Sequence, residues 1–253
     1  MRNRIFKFLT GQIEENITNS FYDVTLQVSE PVSDYSWSRF KLAVGRGVKR
    51  GLDIAFALVF IFISLPMLLF IAAAIKLTSK GPVFFTQERV GINGQKFKIY
   101  KFRTMRPENS QEEHHEYIQN LLKEDYEVDN DKVLQSYFEF IDNRTTPVGK
   151  FLRATSLDEL PQLFNILGGK MSLVGPRPHP TYEVDEYKSW YKRRLSVKPG
   201  LTGWSKLNLR LTPKNYEESI LYDLWYVDNW SVLLDIQIIL MTVPFVLSMK
   251  DAH

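Results

Sequence analysis

The residues best suited to chemistry lie in segment 153–162, which contains two adjacent carboxylates, Asp158 and Glu159. An aspartate beside a divalent cation can attack phosphorus as a nucleophile, and a neighbouring carboxylate can serve as the base. Arg153, five residues upstream of Asp158, suits phosphate binding. The same segment fits a purely structural role, because Ser156 and Glu159 have the spacing of a capping box at a helix N-terminus. The spacing leaves both roles open.

A second candidate is Arg177, which lies between Pro176 and Pro178. Proline fixes its own φ and restricts the residue before it, so the guanidinium is held in place. A guanidinium held in this way suits bidentate recognition of phosphate, although a proline-rich surface turn with an incidental arginine fits the pattern too. Arg210 follows another Gly/Pro turn at residues 198–204. None of these turns has the glycine spacing of a P-loop or a dinucleotide-binding site.

The net charge of the 253-residue chain, +3, conceals an asymmetry. Residues 107–142 carry 11 acidic side chains and 2 lysines, a local charge of −9, which leaves +12 on the rest. A basic body with an acidic insert indicates an anionic partner such as nucleic acid, phospholipid headgroups or a phosphorylated substrate. With 24% charged and 44% hydrophobic residues, the chain is neither disordered nor a polytopic membrane protein. The lack of cysteine excludes disulfides and cysteine-ligated metals.

An uncharged apolar run occupies residues 54–75 and is long enough to cross a bilayer as a helix. Pro66 lies within the run and predicts a bend. Both flanks are basic, so neither end is marked as the translocated one. A helix that enters one leaflet, bends at Ser64 and Pro66 and returns satisfies both observations. A kinked spanning helix is the open alternative.

The remaining segments predict an α+β fold that is mostly helical. Residues 146–167 predict helix interrupted at Pro161. The apolar stretch 232–249 contains Asp235 and Pro244, which favours an amphipathic interfacial helix over a second span. A small β-hairpin is predicted from two strands, 83–87 and 96–102, with a turn at 91–94.

Taken together, the motifs resemble the bacterial sugar transferase family, in particular its small, monotopic polyprenyl-phosphate phosphoglycosyl transferases. The resemblance covers about residues 46–249 apart from the insert. Each motif is weak or moderate alone, but all of them in one order behind a proline-containing apolar helix are specific. The motifs are Lys49-Arg50-Gly-Leu-Asp53, Gln87-Glu-Arg-Val-Gly91, Lys98-Ile-Tyr-Lys-Phe-Arg-Thr-Met105, Ser156-Leu-Asp-Glu-Leu-Pro-Gln162, Met171-Ser-Leu-Val-Gly-Pro-Arg-Pro178 and Lys198-Pro-Gly-Leu-Thr-Gly-Trp204.

The resemblance implies a reaction and the residues that perform it. Asp158 would attack the β-phosphate of a UDP-sugar with Mg²⁺ bound, release UMP and hold the sugar phosphate covalently until undecaprenyl phosphate accepts it. Asp158 would also bind the metal, and Glu159 would be the second member of the dyad. The arginines expected to hold phosphates are Arg153, Arg177 and Arg210. The product would initiate capsule, exopolysaccharide, O-antigen or glycoprotein glycan assembly.

The resemblance also implies a location and a division of the chain. The apolar helix would be a re-entrant hairpin on the cytoplasmic face of the bacterial inner membrane, so the lipid bilayer is an expected partner and nucleic acid is not. The expected parts are an N-terminal extension (1–45), the re-entrant helix (46–80) and a catalytic domain (81–253) that carries the acidic insert 107–142. A monomer and a homodimer are both open.

Two positions depart from the family pattern: Lys170 stands where aspartate is usual, and Leu209 where glycine is usual. If the backbone at residue 209 needs a positive φ, leucine would strain it and re-aim Arg210. These departures are the sole support for an alternative function, a catalytically inactive scaffold on the membrane surface.

Overall fold

The structure is a computed structural model that describes residues 35–106, 144–209 and 216–247. As the sequence predicts, the described residues are mostly helical. The acidic insert, Arg210 and residues 1–34 of the predicted extension lie outside them. By its contacts the chain divides into Met1–Arg46 and Gly47–His253, and the candidate site lies in the second unit.

The longest element is helix α1, Tyr35–Thr78, which contains the apolar run and continues through Pro66. Among the described residues it is the one helix that is long and apolar enough to cross a membrane, by length and composition. Its face opposite the body is exposed, with Phe62 81% and Phe70 75% accessible. The buried side chains are spaced by three, four or seven residues, as expected for one packed face of a helix: Asp53, Ala57, Ser64, Leu68, Ile71 and Ile75.

The predicted hairpin is confirmed, with strand β1 at Phe84–Val90 and strand β2 at Lys96–Phe102, paired antiparallel. The side chains of β2 alternate between the two faces of the hairpin. Phe97 and Ile99 point inward and form a core cluster with Ala57 of α1. The hairpin therefore packs directly against the apolar helix.

Short helices follow the insert: α2 at Pro147–Ala154, a 3-10 turn at Leu157–Glu159 and α3 at Gln162–Leu167. The predicted interruption at Pro161 is confirmed, since this residue directly precedes α3. The capping box considered for Ser156 is wrong. The Ser156 side chain makes no capping hydrogen bond, and the residue has φ 55°, in the left-handed region that residues other than glycine seldom occupy.

The last part of the chain begins with a short parallel strand pair that no sequence pattern indicated. Strand β3, Ser172–Val174, pairs with strand β4, Gly200–Thr202. A Cβ on Gly200 would lie 2.1 Å from the backbone nitrogen of Gly175, so only glycine permits this close approach. The remaining helices are α4 at Thr181–Asp185, a 3-10 helix at Ser189–Ser196, α5 at Trp204–Asn208, α6 at Tyr216–Asp228 and α7 at Val232–Leu247.

Helix α7 is apolar on two faces. Leu234 and Ile238 are buried against the body. The outward face is exposed and also apolar, so α7 has the side-chain distribution of an interfacial helix, and that location stays a prediction. Its outward residues are Leu233, Ile236, Leu240 and Val243.

Candidate active site

The two carboxylates lie on the 3-10 turn between α2 and α3. The left-handed backbone at Ser156 ends α2 and turns the chain into this element. Leu157 and Leu160 pack on a hydrophobic cluster that includes Ile71 and Ile75 of α1. The turn that presents Asp158 and Glu159 is therefore anchored on the apolar helix.

Glu159 is held by two lysines from distant parts of the chain. Lys101 of β2 donates to Oε1 at 2.7 Å, and Lys206 of α5 donates to Oε2 at 2.9 Å. Burial by itself would raise the pKa of Glu159, but Lys101 and Lys206, together with Arg177, hold it well below its usual value. The lysine contacts therefore favour the ionised form of Glu159, and each of its oxygens accepts one hydrogen bond from a lysine.

Asp158 has a different environment from its neighbour. Its carboxylate accepts no hydrogen bond from the described residues, and Lys101 Nζ is 4.0 Å from Oδ2. Burial raises the pKa of Asp158, and the charge of Glu159 adds to this effect, whereas Lys101, Arg153 and Lys206 oppose it. The side chain is still 14% exposed. Asp158 is therefore the carboxylate of the dyad that is available to a substrate.

The predicted arginines add to the positive charge around the dyad. Arg153, in the last turn of α2, acts electrostatically on Asp158, and Arg177 acts on Glu159. Neither guanidinium donates a hydrogen bond to another described residue, so both remain able to bind a phosphate. The structure thus brings together Arg153 and Arg177 with the dyad, while Arg210 lies outside the described residues.

Sequence reasoning missed Lys101 and Lys206. The signal for Lys101 lies in the alternation of β2, where Phe97 and Ile99 face inward and residue 101 falls on the same face. A lysine in an inward position requires an anionic partner, because a buried unpaired charge is costly. No comparable signal marks Lys206, since its contact depends on where the short helix α5 lies.

A buried polar network supports the segment that carries Arg177. Arg194 donates to the carbonyl oxygen of Arg177 at 2.8 Å and forms an ion pair with Asp223 of α6. Arg89 of β1 donates to the carbonyl oxygen of Pro178 at 3.0 Å. The carbonyl groups of Arg177 and Pro178 are therefore both held by side chains that the sequence motifs did not mark as functional.

His179 belongs to the same network. Its Nδ1 atom lies 2.8 Å from Arg194 Nη1, which can only donate, so Nδ1 accepts a hydrogen bond. Burial lowers the pKa of His179 well below its usual value, and Arg194, Arg177 and Arg89 lower it further. The lowered pKa favours the neutral imidazole, although Nδ1 also lies 3.1 Å from Glu183 Oε2, and the contacts of His179 place it in the supporting network.

The residues of the dyad fit a metal ion that arrives with a substrate. Within the described part of the chain no group of three or more His, Cys, Asp or Glu side chains could hold a metal ion. Each oxygen of Glu159 accepts from a lysine, whereas Asp158 accepts no hydrogen bond from the described residues and is the more accessible ligand. Mg²⁺ commonly binds through one or two carboxylates together with substrate phosphates, and Asp158 fits that arrangement.

Comparison with known proteins identifies the family to which this fold and this dyad belong. Residues 44–249 match the family described as bacterial sugar transferase, and the chain belongs to this family. A UDP-glucose:undecaprenyl-phosphate glucose-1-phosphate transferase from Klebsiella pneumoniae is 45% identical over 194 residues, which cover 74% of this chain and 37% of the relative. A protein of the same name from Escherichia coli (strain K12) is 40% identical over 207 residues, which cover 79% of this chain and 40% of that relative.

The chain spans about two fifths of the length of these two relatives. A relative of more similar length is the uncharacterized sugar transferase EpsL from Bacillus subtilis (strain 168). It is 38% identical over 200 residues, which cover 79% of this chain and 87% of that protein.

Proposed function

We propose that this chain transfers a sugar 1-phosphate from a UDP-sugar to undecaprenyl phosphate and so initiates a bacterial glycan such as capsule, exopolysaccharide or O-antigen. The observation that carries the proposal is the contrast within the dyad. Asp158 lies among cations but accepts no hydrogen bond from the described residues, whereas Glu159 is held by Lys101 and Lys206. The names of the relatives from Klebsiella and Escherichia support the same substrates.

Two displacements would occur at the same phosphorus, with Asp158 as the nucleophile of the first and the leaving group of the second. A carboxylate oxygen attacks the β-phosphorus of the UDP-sugar, and the bond to the bridging oxygen breaks, so that UMP leaves with that oxygen. The sugar phosphate is then joined to Asp158 as an acyl phosphate. An oxygen of undecaprenyl phosphate attacks this phosphorus next, the bond to Asp158 breaks, and the carboxylate is restored.

Glu159 would position the lysines rather than act as a base. Its lowered pKa and its two lysine contacts make proton abstraction unfavourable. The scheme requires no base, because the lipid phosphate is an anion and Asp158 attacks as a carboxylate, the form that Lys101, Arg153 and Lys206 favour against the effect of burial. Lys101 and Lys206 would instead be oriented by Glu159 to stabilise the negative charge that accumulates at phosphorus.

Arg153 and Arg177 would bind the diphosphate of the donor and so hold the β-phosphorus near Asp158. Arg177 suits this role because Arg194 holds its carbonyl oxygen and Arg89 holds that of the next residue, Pro178. Mg²⁺ on Asp158, if carried in by the diphosphate, would neutralise phosphate charge and polarise the reacting centre. Arg210 stays a predicted phosphate ligand.

We also propose that the chain lies on the cytoplasmic face of the inner membrane without crossing it. The contacts of α1 support this, because both ends of the apolar run touch the same body. Near one end Asp53 accepts from the Leu173 amide at 2.9 Å, and beyond the other end Arg103 donates to the Ser79 carbonyl at 2.9 Å. A straight spanning helix of this length would separate those ends by about 33 Å, on opposite sides of the bilayer.

A bend at Ser64 and Pro66 would let the helix return to the same side. Ser64 Oγ donates to the carbonyl oxygen of Phe60 at 2.5 Å, a contact that often bends helices, and Pro66 has no amide hydrogen to donate. Both residues lie near the middle of the run, where a re-entrant helix must turn.

Cysteine labelling distinguishes the two topologies, and the chain has no cysteine of its own. Cysteines introduced singly at Val48 and Leu77, both exposed, are expected to react with a membrane-impermeant maleimide from the cytoplasmic side alone. A cysteine at Phe62, within the run, serves as the control and is expected to react only after detergent is added. Labelling of residues 48 and 77 from opposite faces would contradict the re-entrant proposal.

The reaction is tested by measuring UMP release from a panel of UDP-sugars by the full chain with undecaprenyl phosphate. We expect UMP from at least one donor, loss of release with EDTA and recovery with added Mg²⁺. This result would exclude the inactive scaffold, which the intact dyad already argues against. No UMP from any donor would favour the scaffold.

A further inference from the structure

We propose that Arg50, Lys170 and Lys198 form a binding site for the phosphate headgroup of an anionic phospholipid, separate from the dyad. The proposal rests on the membrane association proposed above. The site lies at the loop that follows α3, beside the turn of α1 that precedes the apolar run. Lys170 is the residue that departs from the family pattern.

Two of the three cations converge on one point of the loop. Arg50 donates from Nη1 to the Ile166 carbonyl at 2.6 Å and from Nη2 to the Leu167 carbonyl at 2.8 Å, which fixes α1 to the end of α3. Gly169 has φ +74° and carries no side chain. A Cβ there would lie 3.5 Å from Arg50 Nη2 and 3.7 Å from Lys198 Nζ, so both nitrogens border the space above this glycine.

The cations are only partly neutralised within the described residues. Lys170 and Lys198 have no carboxylate within ion-pair distance there, and Lys49, the other nearby cation, pairs with Asp235 at 2.7 Å. The remaining anion, Asp53, accepts from the neutral groups of Ser172 and Leu173 and keeps its charge, so one carboxylate faces three cations. Burial lowers the pKa of Lys198, and Arg50, Lys49 and Lys170 lower it further, as expected for crowded cations, while Asp53 opposes them. A bound anion would relieve this repulsion.

The position of the cluster along α1 selects a lipid headgroup as the anion. Arg50 lies four residues before Ile54, where the apolar run begins, which corresponds to about 6 Å along a helix. The headgroup layer on each side of the hydrocarbon core is roughly 5–8 Å thick. If Ile54 enters the hydrocarbon, Arg50 and the loop bonded to it lie at the depth of the phosphates.

The identity of residue 170 makes the proposal specific to this chain. Aspartate at this position would lie beside Lys198 and Arg50 and would reduce the excess charge, whereas lysine increases it. Each lysine near an anionic surface contributes about fivefold in affinity. Lys170→Asp should therefore remove most of the preference for anionic lipid without any change at the dyad.

The test uses the purified full chain in detergent micelles doped with phosphatidylglycerol or phosphatidylcholine, with retained lipid counted by native mass spectrometry. We expect wild type to retain phosphatidylglycerol in preference to phosphatidylcholine and to lose this preference at high salt. Lys170→Asp and Lys198→Gln should each reduce the preference at least about fivefold. Lys192→Asp, which changes an exposed lysine with no described ion pair, should leave it unchanged.

Several outcomes would overturn the proposal. The first is equal retention of the two lipids by wild type. The second is a loss of the phosphatidylglycerol preference in Lys192→Asp as large as that in Lys170→Asp. The third is displacement of phosphatidylglycerol by inorganic phosphate or by equimolar undecaprenyl phosphate. UMP release in detergent separates this proposal from the preceding one. It should be the same in Lys170→Asp and wild type, and its absence in wild type would contradict the transferase reaction while leaving the lipid measurement valid.

Discussion

Replacing Asp158 by asparagine is expected to lower UMP release by roughly 10³-fold or more and to abolish any covalent sugar-phosphate adduct. The amide is nearly the same size as the carboxylate but cannot attack phosphorus, and loss of a nucleophile has effects of at least this size. Because Asp158 accepts no hydrogen bond from the described residues, the variant should fold normally. The measurements are UMP release and the intact mass of the protein after incubation with the donor alone.

The control for this variant is Asp185→Asn, which alters an exposed aspartate on α4. It should retain wild-type turnover and the mass increase of one sugar phosphate. Substantial UMP release by Asp158→Asn, or an adduct that persists in it, would mean that another group is the nucleophile. A lost adduct with retained UMP release would indicate direct transfer between the two substrates.

Replacing Asp223 by asparagine is expected to lower the free energy of unfolding by about 3–5 kcal/mol, because it leaves a buried charge without its partner. The side chains of Arg194 and Asp223 are only 2% and 3% exposed. Arginine does not lose its proton in proteins, so its charge cannot be removed when the carboxylate is lost. Since Arg194 also binds the Arg177 carbonyl, phosphate binding should weaken as well.

A matched control lies on the same helix. Asp228 pairs with Arg193, but these side chains are 41% and 52% exposed. Asp228→Asn should therefore lower the free energy of unfolding by less than about 1 kcal/mol. Thermal unfolding of both variants in the same detergent, followed by tryptophan fluorescence, compares them directly. Similar decreases in the unfolding temperature of the two variants would show that the buried ion pair stabilises the fold no more than the exposed one.

The parts of the fold that could be predicted are those with a repeating local pattern. The hairpin follows from alternation in β2, and α1 follows from a long uncharged run. The pair of β3 and β4 has three residues in each strand, too few for any alternation to be detected. The capping box at Ser156 has the right spacing but a left-handed backbone, which no local pattern indicated.

The candidate site could be predicted only in part, for a related reason. The dyad is adjacent in sequence, and Arg177 lies between two prolines, so both are visible as motifs. Lys101 and Lys206 reach Glu159 across 58 and 47 residues of chain. Such contacts depend on how β2 and α5 pack around the turn, and a single sequence contains no record of that packing.

The anchoring of the dyad on α1 has a consequence for the lipid substrate. Leu157 and Leu160 on either side of the dyad pack on the same cluster as Ile71 and Ile75 of the apolar helix. If α1 lies in the bilayer as proposed, its depth sets the height of Asp158 relative to the membrane surface. In the proposed reaction the Asp158 carboxylate stays at a fixed distance from the membrane surface. The phosphate of the lipid acceptor must then move along the membrane normal to reach it.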